Sequence, residues 1–109
     1  MIPPSPFQLR VYDALRQVPR GRVTTYGLLA RHIGCASAQA VGQALRRNPF
    51  APRVPCHRVI AADLSLGGFT GKREGPAIAR KRALLAKEGV RFDANGRLLD
   101  PRQVYACRD

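Results

Sequence analysis

Proline and glycine cut this chain into pieces too short for a long helix or a long strand. Pro19-Arg20-Gly21, Gly34, Asn48-Pro49, Pro55, Gly67-Gly68, Gly75-Pro76 and Gly89 punctuate it at short intervals. Proline lacks a backbone donor, and glycine accepts the left-handed turn that ends a helix. The pieces left in the first half read as helices. Ser5 caps the first, Pro6 suits its first turn, and Gln8 completes a capping box. Phe7, Val11, Ala14, Leu15 and Val18 share one face, with Arg10, Asp13, Arg16 and Gln17 on the wet face. After an extended Arg22-Val23-Thr24-Thr25, Thr25 or Thr24 caps a second helix over Tyr26 to Ile33, stopped by Gly34. Ser37 caps a third from about Ala38 to Arg47.

Two helices joined by a short glycine-containing turn form a helix-turn-helix. In the third helix, Val41, Ala44 and Leu45 face the core, while Gln39, Gln43 and Arg46 recur on the other side. Ala36, Ala38, Ala40 and Gly42 are small. A helix trimmed in this way can approach a second backbone, either that of DNA or that of another helix. Net charge favours DNA. Nineteen Lys and Arg oppose seven Asp and Glu, giving +12 in 109 residues. Most of the cations are arginine, which suits phosphate. Tyr26, in the first turn of its helix, is either a phosphate contact or a half-buried aromatic.

A proline-punctuated loop then leads to Pro55-Cys56-His57-Arg58-Val59-Ile60. The rigid approach through Pro55 and the neighbouring His57 and Arg58 suit an activated thiolate. The alternative is a small buried cysteine at a strand start. Arg58 to Ala61 reads as a strand, with Leu66 to Thr70 able to pair back as a wing. Gly67-Gly68-Phe69-Thr70-Gly71 is either a backbone that closes over a ligand or an ordinary flexible loop. It lacks the spacing of a nucleotide phosphate loop. A last helix spans roughly Ala77 to Lys87, with Ile78, Leu85, Ala77 and Leu84 inward and Arg80, Lys81 and Arg82 outward. Glu88 ends it against the helix dipole, which calls for a His or Arg partner. Val90 to Phe92, Asn95-Gly96 and Leu98-Leu99 form a small hairpin, and the tail after Pro101 is expected to pack loosely.

The fold class expected is mainly α with small β elements, a winged helix-turn-helix-like DNA-binding domain, with residues 1–109 as one unit acting as a monomer. Cys35, Cys56 and Cys107 are an odd, widely spaced set that makes neither a disulfide framework nor a zinc pattern. His32 with Cys35, Cys56 and His57 matches no metal spacing either, so no metal and no cofactor is expected. Met1-Ile2-Pro3-Pro4 resembles neither a signal peptide nor a membrane span. The expected compartment is reducing: cytoplasm, or nucleus in a eukaryote.

Four strings stand in one order: Gly21-Arg22-Val23-Thr24-Thr25-Tyr26-Gly27, Ala40-Val41-Gly42-Gln43-Ala44-Leu45-Arg46-Arg47-Asn48-Pro49, Pro55 to Ile60, and Leu84-Leu85-Ala86-Lys87-Glu88-Gly89. Together, over about residues 6 to 92, they resemble the DNA-binding domain of O6-alkylguanine-DNA alkyltransferases and the related alkyltransferase-like proteins. The resemblance implies DNA repair: duplex DNA is bound through its minor groove, O6-alkylguanine is flipped out, and its alkyl group passes irreversibly to Cys56. It also implies roles. His57 deprotonates the thiol through a water, Glu88 orients His57, and Asn48 holds the turn before the cysteine loop. Tyr26 crowds the phosphate of the rotating nucleotide. Gln39, Ala38, Gly42 and Arg46 lie on the DNA-facing helix, and Val59, Phe69 and Thr70 match pocket positions.

Three departures stand out. Gln39 occupies the position of a usual arginine. The stretch from Gly71 to Ala77 is several residues longer than in ordinary alkyltransferases, and it resembles the alkyltransferase-like group, as does a short chain without an N-terminal domain. That group recognises bulky O6-alkylguanine without transfer and flags it for nucleotide excision repair, whose proteins would then be partners. It often carries Trp where this chain keeps Cys56. A third reading is a winged-helix regulator with an incidental cysteine, which leaves Cys56, His57, Asn48 and Glu88 together unexplained.

Overall fold

The structure, a computed structural model, describes residues 4–47, 54–67 and 75–106. Helix α1 is Pro6–Leu15, α2 is Tyr26–His32, α3 is Ala38–Arg46 and α4 is Pro76–Lys87. Strands β1 and β2 are Thr24–Thr25 and Val59–Ile60. The first three helices begin where local chemistry places them. The Ser5 hydroxyl accepts the Gln8 N–H at 3.1 Å, and the Gln8 side chain accepts the Ser5 N–H at 2.8 Å. Thr25 and Ser37 accept the N–H groups of Leu28 and Ala40 in the same way. Each cap satisfies a donor that the helix cannot pair itself.

Helices α1, α2 and α3 pack on one another around Val11, Tyr12, Leu15, Leu29, Val41 and Leu45. A second cluster joins Val23, Ile60, Leu66, Leu85, Val90, Phe92 and Leu98. Strand β2 divides the two. Its successive side chains point to opposite faces, so Val59 enters the first cluster and Ile60 the second. Both are fully buried.

The partner of β2 differs from the expected wing. It pairs in parallel with β1, Thr24 opposite Val59 and Thr25 opposite Ile60. A parallel pair needs a crossover, and α2 and α3 supply it. A strand covered on both faces also fits a parallel pairing better than an exposed hairpin. The segment that follows turns at Ala61–Ser65 and bonds to the small hairpin: Leu66 N–H donates to the Gly96 carbonyl at 3.0 Å, and Leu98 N–H donates to that of Leu64 at 2.8 Å. The hairpin itself forms as expected, with Phe92 bridged to Leu98.

Two further expectations are corrected. The tail is not loosely packed as far as Ala106. Val104 bridges Val23 in parallel, covering the free edge of β1, and Val23 N–H donates to the Gln103 carbonyl at 2.9 Å. Lys81 is not on the wet face of α4 but fully buried. It stands three residues after Ile78 and four before Leu85, so helical geometry puts it on their stripe. Arg82 is half-buried too, holding the carbonyls of Phe92 and Asp93.

Tyr12, which the apolar pattern leaves unassigned, is wholly buried, and its hydroxyl donates to the Ala44 carbonyl at 2.7 Å. This bond fastens α3 to α1. That carbonyl keeps a second donor, Arg47 N–H at 3.2 Å. Tyr12→Phe should therefore cost only about 1 kcal/mol, the net worth of one hydrogen bond. Urea denaturation with an unchanged slope measures it, and equal midpoints for the two proteins would show that the bond does not form.

Candidate functional site

Cys56 lies in a turn whose backbone leaves little freedom. Pro55 enters at φ −82°, and Cys56–Arg58 form one turn of 3₁₀ helix. Cys56 N–H donates to the Val54 carbonyl and Arg58 N–H to that of Pro55, both at 2.9 Å. The turn runs straight into β2, and α4 packs against it. Cys56 is half-buried, next to the first core cluster.

The two residues after Cys56 converge on Glu88, 31 and 30 residues away, at the C-cap of α4. Arg58 meets the carboxylate with two parallel bonds, Nε to Oε1 and Nη2 to Oε2, both 2.9 Å. Its Nη1 reaches the Val18 carbonyl at 2.9 Å, tying the site to the chain just past α1. His57 Nε2 lies 3.1 Å from Glu88 Oε2. Arg20 stands at 4.0 Å from the same oxygen and is largely exposed. Gly89, at φ +84°, ends the helix just beyond. Gly21, at φ +88°, approaches so closely that a Cβ there would lie 3.3 Å from the Glu88 carbonyl oxygen.

The electrostatics follow from these contacts. Burial would raise the Glu88 pKa, but hydrogen bonds and charge from Arg58 and His57 outweigh it and hold it down at about 2. Burial is also the largest influence on His57 and lowers its pKa. Glu88 opposes this, while the charges of Arg58 and Lys81 add to it. His57 is therefore a neutral imidazole near pH 7. An ionised carboxylate only accepts, so Nε2 carries the proton toward Glu88 and Nδ1 keeps a lone pair. The arrangement can hold a neutral base in one tautomer beside a thiol.

His57 and Glu88 are thus brought together, with Cys56 next to His57 in the turn, and Arg58 fills the partnership that the misplaced Glu88 called for. Asn48, Phe69 and Thr70 lie outside the described residues, as does Cys107. Val59 is part of the core, and its carbonyl accepts Lys81 Nζ at 2.7 Å. Tyr26 is half-buried against the first cluster, beside Gly67, where a Cβ would lie 3.5 Å from its ring. On α3, Ala38, Gln39 and Arg46 are exposed, and Gly42 is half-buried with open space where a Cβ would stand. The site members that the sequence pattern missed are Tyr12 and Lys81. Burial raises the Tyr12 pKa and the charge of Cys56 adds to it, whereas burial lowers that of Lys81 to about 7 against the charge of Cys56. Among the described residues no three His, Cys, Asp or Glu side chains gather as metal ligands, and no helix is long and apolar enough to cross a membrane.

The family model for the DNA-binding domain of 6-O-methylguanine DNA methyltransferase matches residues 6–90. A methylated-DNA–protein-cysteine methyltransferase of Thermococcus sibiricus is 47% identical over 88 residues, which cover 80% of this chain and 46% of that protein. The chain spans about half the length of the curated relatives it matches. Among solved structures, Mycobacterium tuberculosis OGT in complex with DNA is 47% identical, with a TM-score of 0.68, over 77% of this chain and 50% of that one. S. pombe Atl1, in complex with damaged DNA containing O6-carboxymethylguanine, is 34% identical, with a TM-score of 0.74, over 91% of this chain and 94% of that one.

Glu88 carries a pH signature. Its pKa falls from 4.5 to about 2 on folding. The contribution is therefore present in full above about pH 4.5 and is lost as pH falls toward 2. From the size of the shift it is about 3 kcal/mol. Glu88→Gln should be less stable at pH 7 and should flatten the acid limb of the stability curve. Denaturant midpoints measured from pH 7 to pH 2.5 test this, and an acid limb as steep in the variant as in the parent would contradict it.

Proposed function

The chain belongs to the family of the 6-O-methylguanine DNA methyltransferase DNA-binding domain, and on that premise we propose that it repairs O6-alkylguanine in duplex DNA by moving the alkyl group to Cys56. The observation that carries this reading is the Arg58–Glu88–His57 cluster fixed beside Cys56 at a rigid turn.

The steps follow from the residues. The exposed face of α3, small at Ala38 and Gly42, lies against the minor groove, with Gln39 and Arg46 as its polar contacts to the DNA. Minor-groove contact reads little sequence, which suits a search for damage. Tyr26, at the start of α2, presses on the backbone as the damaged nucleotide rotates out. Rotation is needed because a stacked base shields its alkyl carbon. By the family resemblance, Asn48 holds the turn before the cysteine loop, and Val59, Phe69 and Thr70 match the pocket positions.

His57, neutral and held by Glu88, takes the thiol proton through a water. The thiolate attacks the alkyl carbon; a C–S bond forms as the C–O bond breaks. Guanine leaves with the electron pair and takes up a proton. The thioether is stable, so each molecule reacts once. The acceptor needs a reducing compartment, the cytoplasm or a nucleus.

One observation favours a second reading. The match to Atl1 runs over nearly the whole of both chains, and Gln39 stands where the family commonly carries arginine. In this reading the protein binds bulky O6-alkylguanine without transfer and hands it to excision-repair proteins.

Intact mass after incubation with an O6-methylguanine duplex separates the two. Transfer adds one methyl group, on Cys56 and not in Cys56→Ala; an unchanged mass with lesion-selective binding leaves the second reading standing. Gln39→Arg should tighten DNA binding and steepen its salt dependence by about 0.9 in log–log slope, the value of one phosphate contact. Identical salt titrations would remove Gln39 from the interface.

A further inference from the structure

Glu88 stands in a turn that is held from both sides by side chains of other segments. The last carbonyls of a helix have no partner within it and need one from outside. At the end of α4, the Lys87 carbonyl accepts Arg20 Nη2 at 3.1 Å, and the Gly89 carbonyl accepts Gln103 Nε2 at 3.0 Å. The same Gln103 nitrogen donates to the Gly21 carbonyl at 3.4 Å. A side-chain amide carries two N–H groups on that one nitrogen, so a single glutamine serves both carbonyls. Gly21 is the residue whose Cβ position lies 3.3 Å from the Glu88 carbonyl oxygen. Gln103 therefore spans the two glycine backbones that meet at Glu88. Its own place is fixed through the backbone of the tail. The Gln103 carbonyl accepts Val23 N–H at 2.9 Å, Tyr105 N–H donates to the Val23 carbonyl at 2.6 Å, and Arg22 Nη1 donates to the Arg102 carbonyl at 3.2 Å. Gln103 lies past residues 6–90, which the family model matches.

We propose that Gln103 is a positioning residue for His57, acting through Glu88: the tail is a strap, and its amide clamps Gly21 to Gly89 so that the Glu88 carboxylate stays aimed at His57 Nε2. Gln103 holds the residue after Glu88, Glu88 Oε2 lies 3.1 Å from His57 Nε2, and His57 follows Cys56. The carbonyls on either side of Glu88, those of Lys87 and Gly89, are both held by side chains. The Glu88 Cα is thus pinned between two fixed peptide units, and its carboxylate has only its own rotamers left to search. With the clamp gone, one of those units is free to rock. The contact to His57 then lengthens before the bidentate pair with Arg58 gives way, because the paired, charge-assisted bonds are the stronger. The proposal rests on the alkyl-acceptor reading for its biological meaning, whereas the strap acts on His57 with or without transfer from DNA.

His57 reports the strap directly. Besides Glu88, the charges that act on it are Arg58 from its own turn and Lys81 from α4, which is bonded to the carbonyls of Val59 and Leu66; Arg20 stands behind Glu88 at 4.0 Å. Gln103→Met leaves these side chains unchanged and removes the donor. Burial lowers the His57 pKa and Glu88 raises it, so two ways of disturbing the site move it in opposite directions. A carboxylate that drifts away lowers the midpoint, and a site that merely opens to water raises it toward its ordinary value. The chain has two histidines, and His32→Gln assigns their NMR signals. In Gln103→Met the titration midpoint of His57 should fall by about half a unit or more, as expected for partial loss of a close opposite charge. Gln103→Asn, one methylene short of the carbonyls, should shift it the same way. Val104→Ala thins the packing of the tail on the second cluster but keeps the amide; it should lower stability and leave the midpoint at its parental value. An unmoved or raised midpoint in folded Gln103→Met overturns the proposal, and so does an equal fall in Val104→Ala. If Gln103→Met does not fold, Gln103→Asn decides. The expected fall without methyl transfer from DNA would defeat the repair reading and leave the strap standing.

Discussion

A carboxylate stands where a helix least favours one, and the site depends on it. Glu88 closes α4 at its negative end. The dipole there costs a few tenths of a kcal/mol to about 1 kcal/mol. A bidentate arginine returns more than that, because both of its bonds are charge-assisted and shielded from water. The exchange links three parts of the chain: the end of α4, the turn at Cys56, and the Val18 carbonyl just past α1. It also leaves one lone-pair direction on Glu88 for His57. Arg58 is thus what allows Glu88 to stay ionised, and ionised Glu88 is what fixes the imidazole.

The helix starts were legible because capping is local. Ser5, Thr25 and Ser37 each act on an N–H three residues on, and sequence spacing contains all that is needed. The wider site was legible through Glu88, whose placement violated a rule and so advertised a partner. Lys81 was not, because its charge and its periodicity point to opposite faces. Its spacing from Ile78 and Leu85 placed it inward, but a lysine is buried only where carbonyls from elsewhere receive it. Nothing near Lys81 in sequence announces Val59 or Leu66. The partner of β2 and the docking of Val104 on Val23 were hidden for the same reason. Strand pairing across more than thirty residues is decided by which faces are covered, and that becomes known only once the helices are packed. Tyr12 falls between the two cases: its ring suits a core, but its acceptor lies on another helix.

Two cores rather than one give the molecule a division of labour. The first holds the helix-turn-helix and the second holds α4 with the hairpin. Cys56 packs against the first, and the turn that carries it packs on α4. The helix-turn-helix and the last helix therefore belong to different packing units, joined through two residues of strand.

That joint is also a ruler. Tyr26 follows directly on Thr25, and Ile60, paired to Thr25, lies four residues past Cys56. The register of one short parallel pair thus sets the span between Tyr26 and the Cys56 sulfur. A slip of one residue would move one against the other by about 3.3 Å and turn the Val59 and Ile60 side chains to the wrong cores. Length changes over the lineage of such a chain are consequently not equal. An added residue in the turn between α2 and α3 can be absorbed as slack, whereas one between Val23 and Tyr26, or between Cys56 and Ile60, recalibrates the instrument.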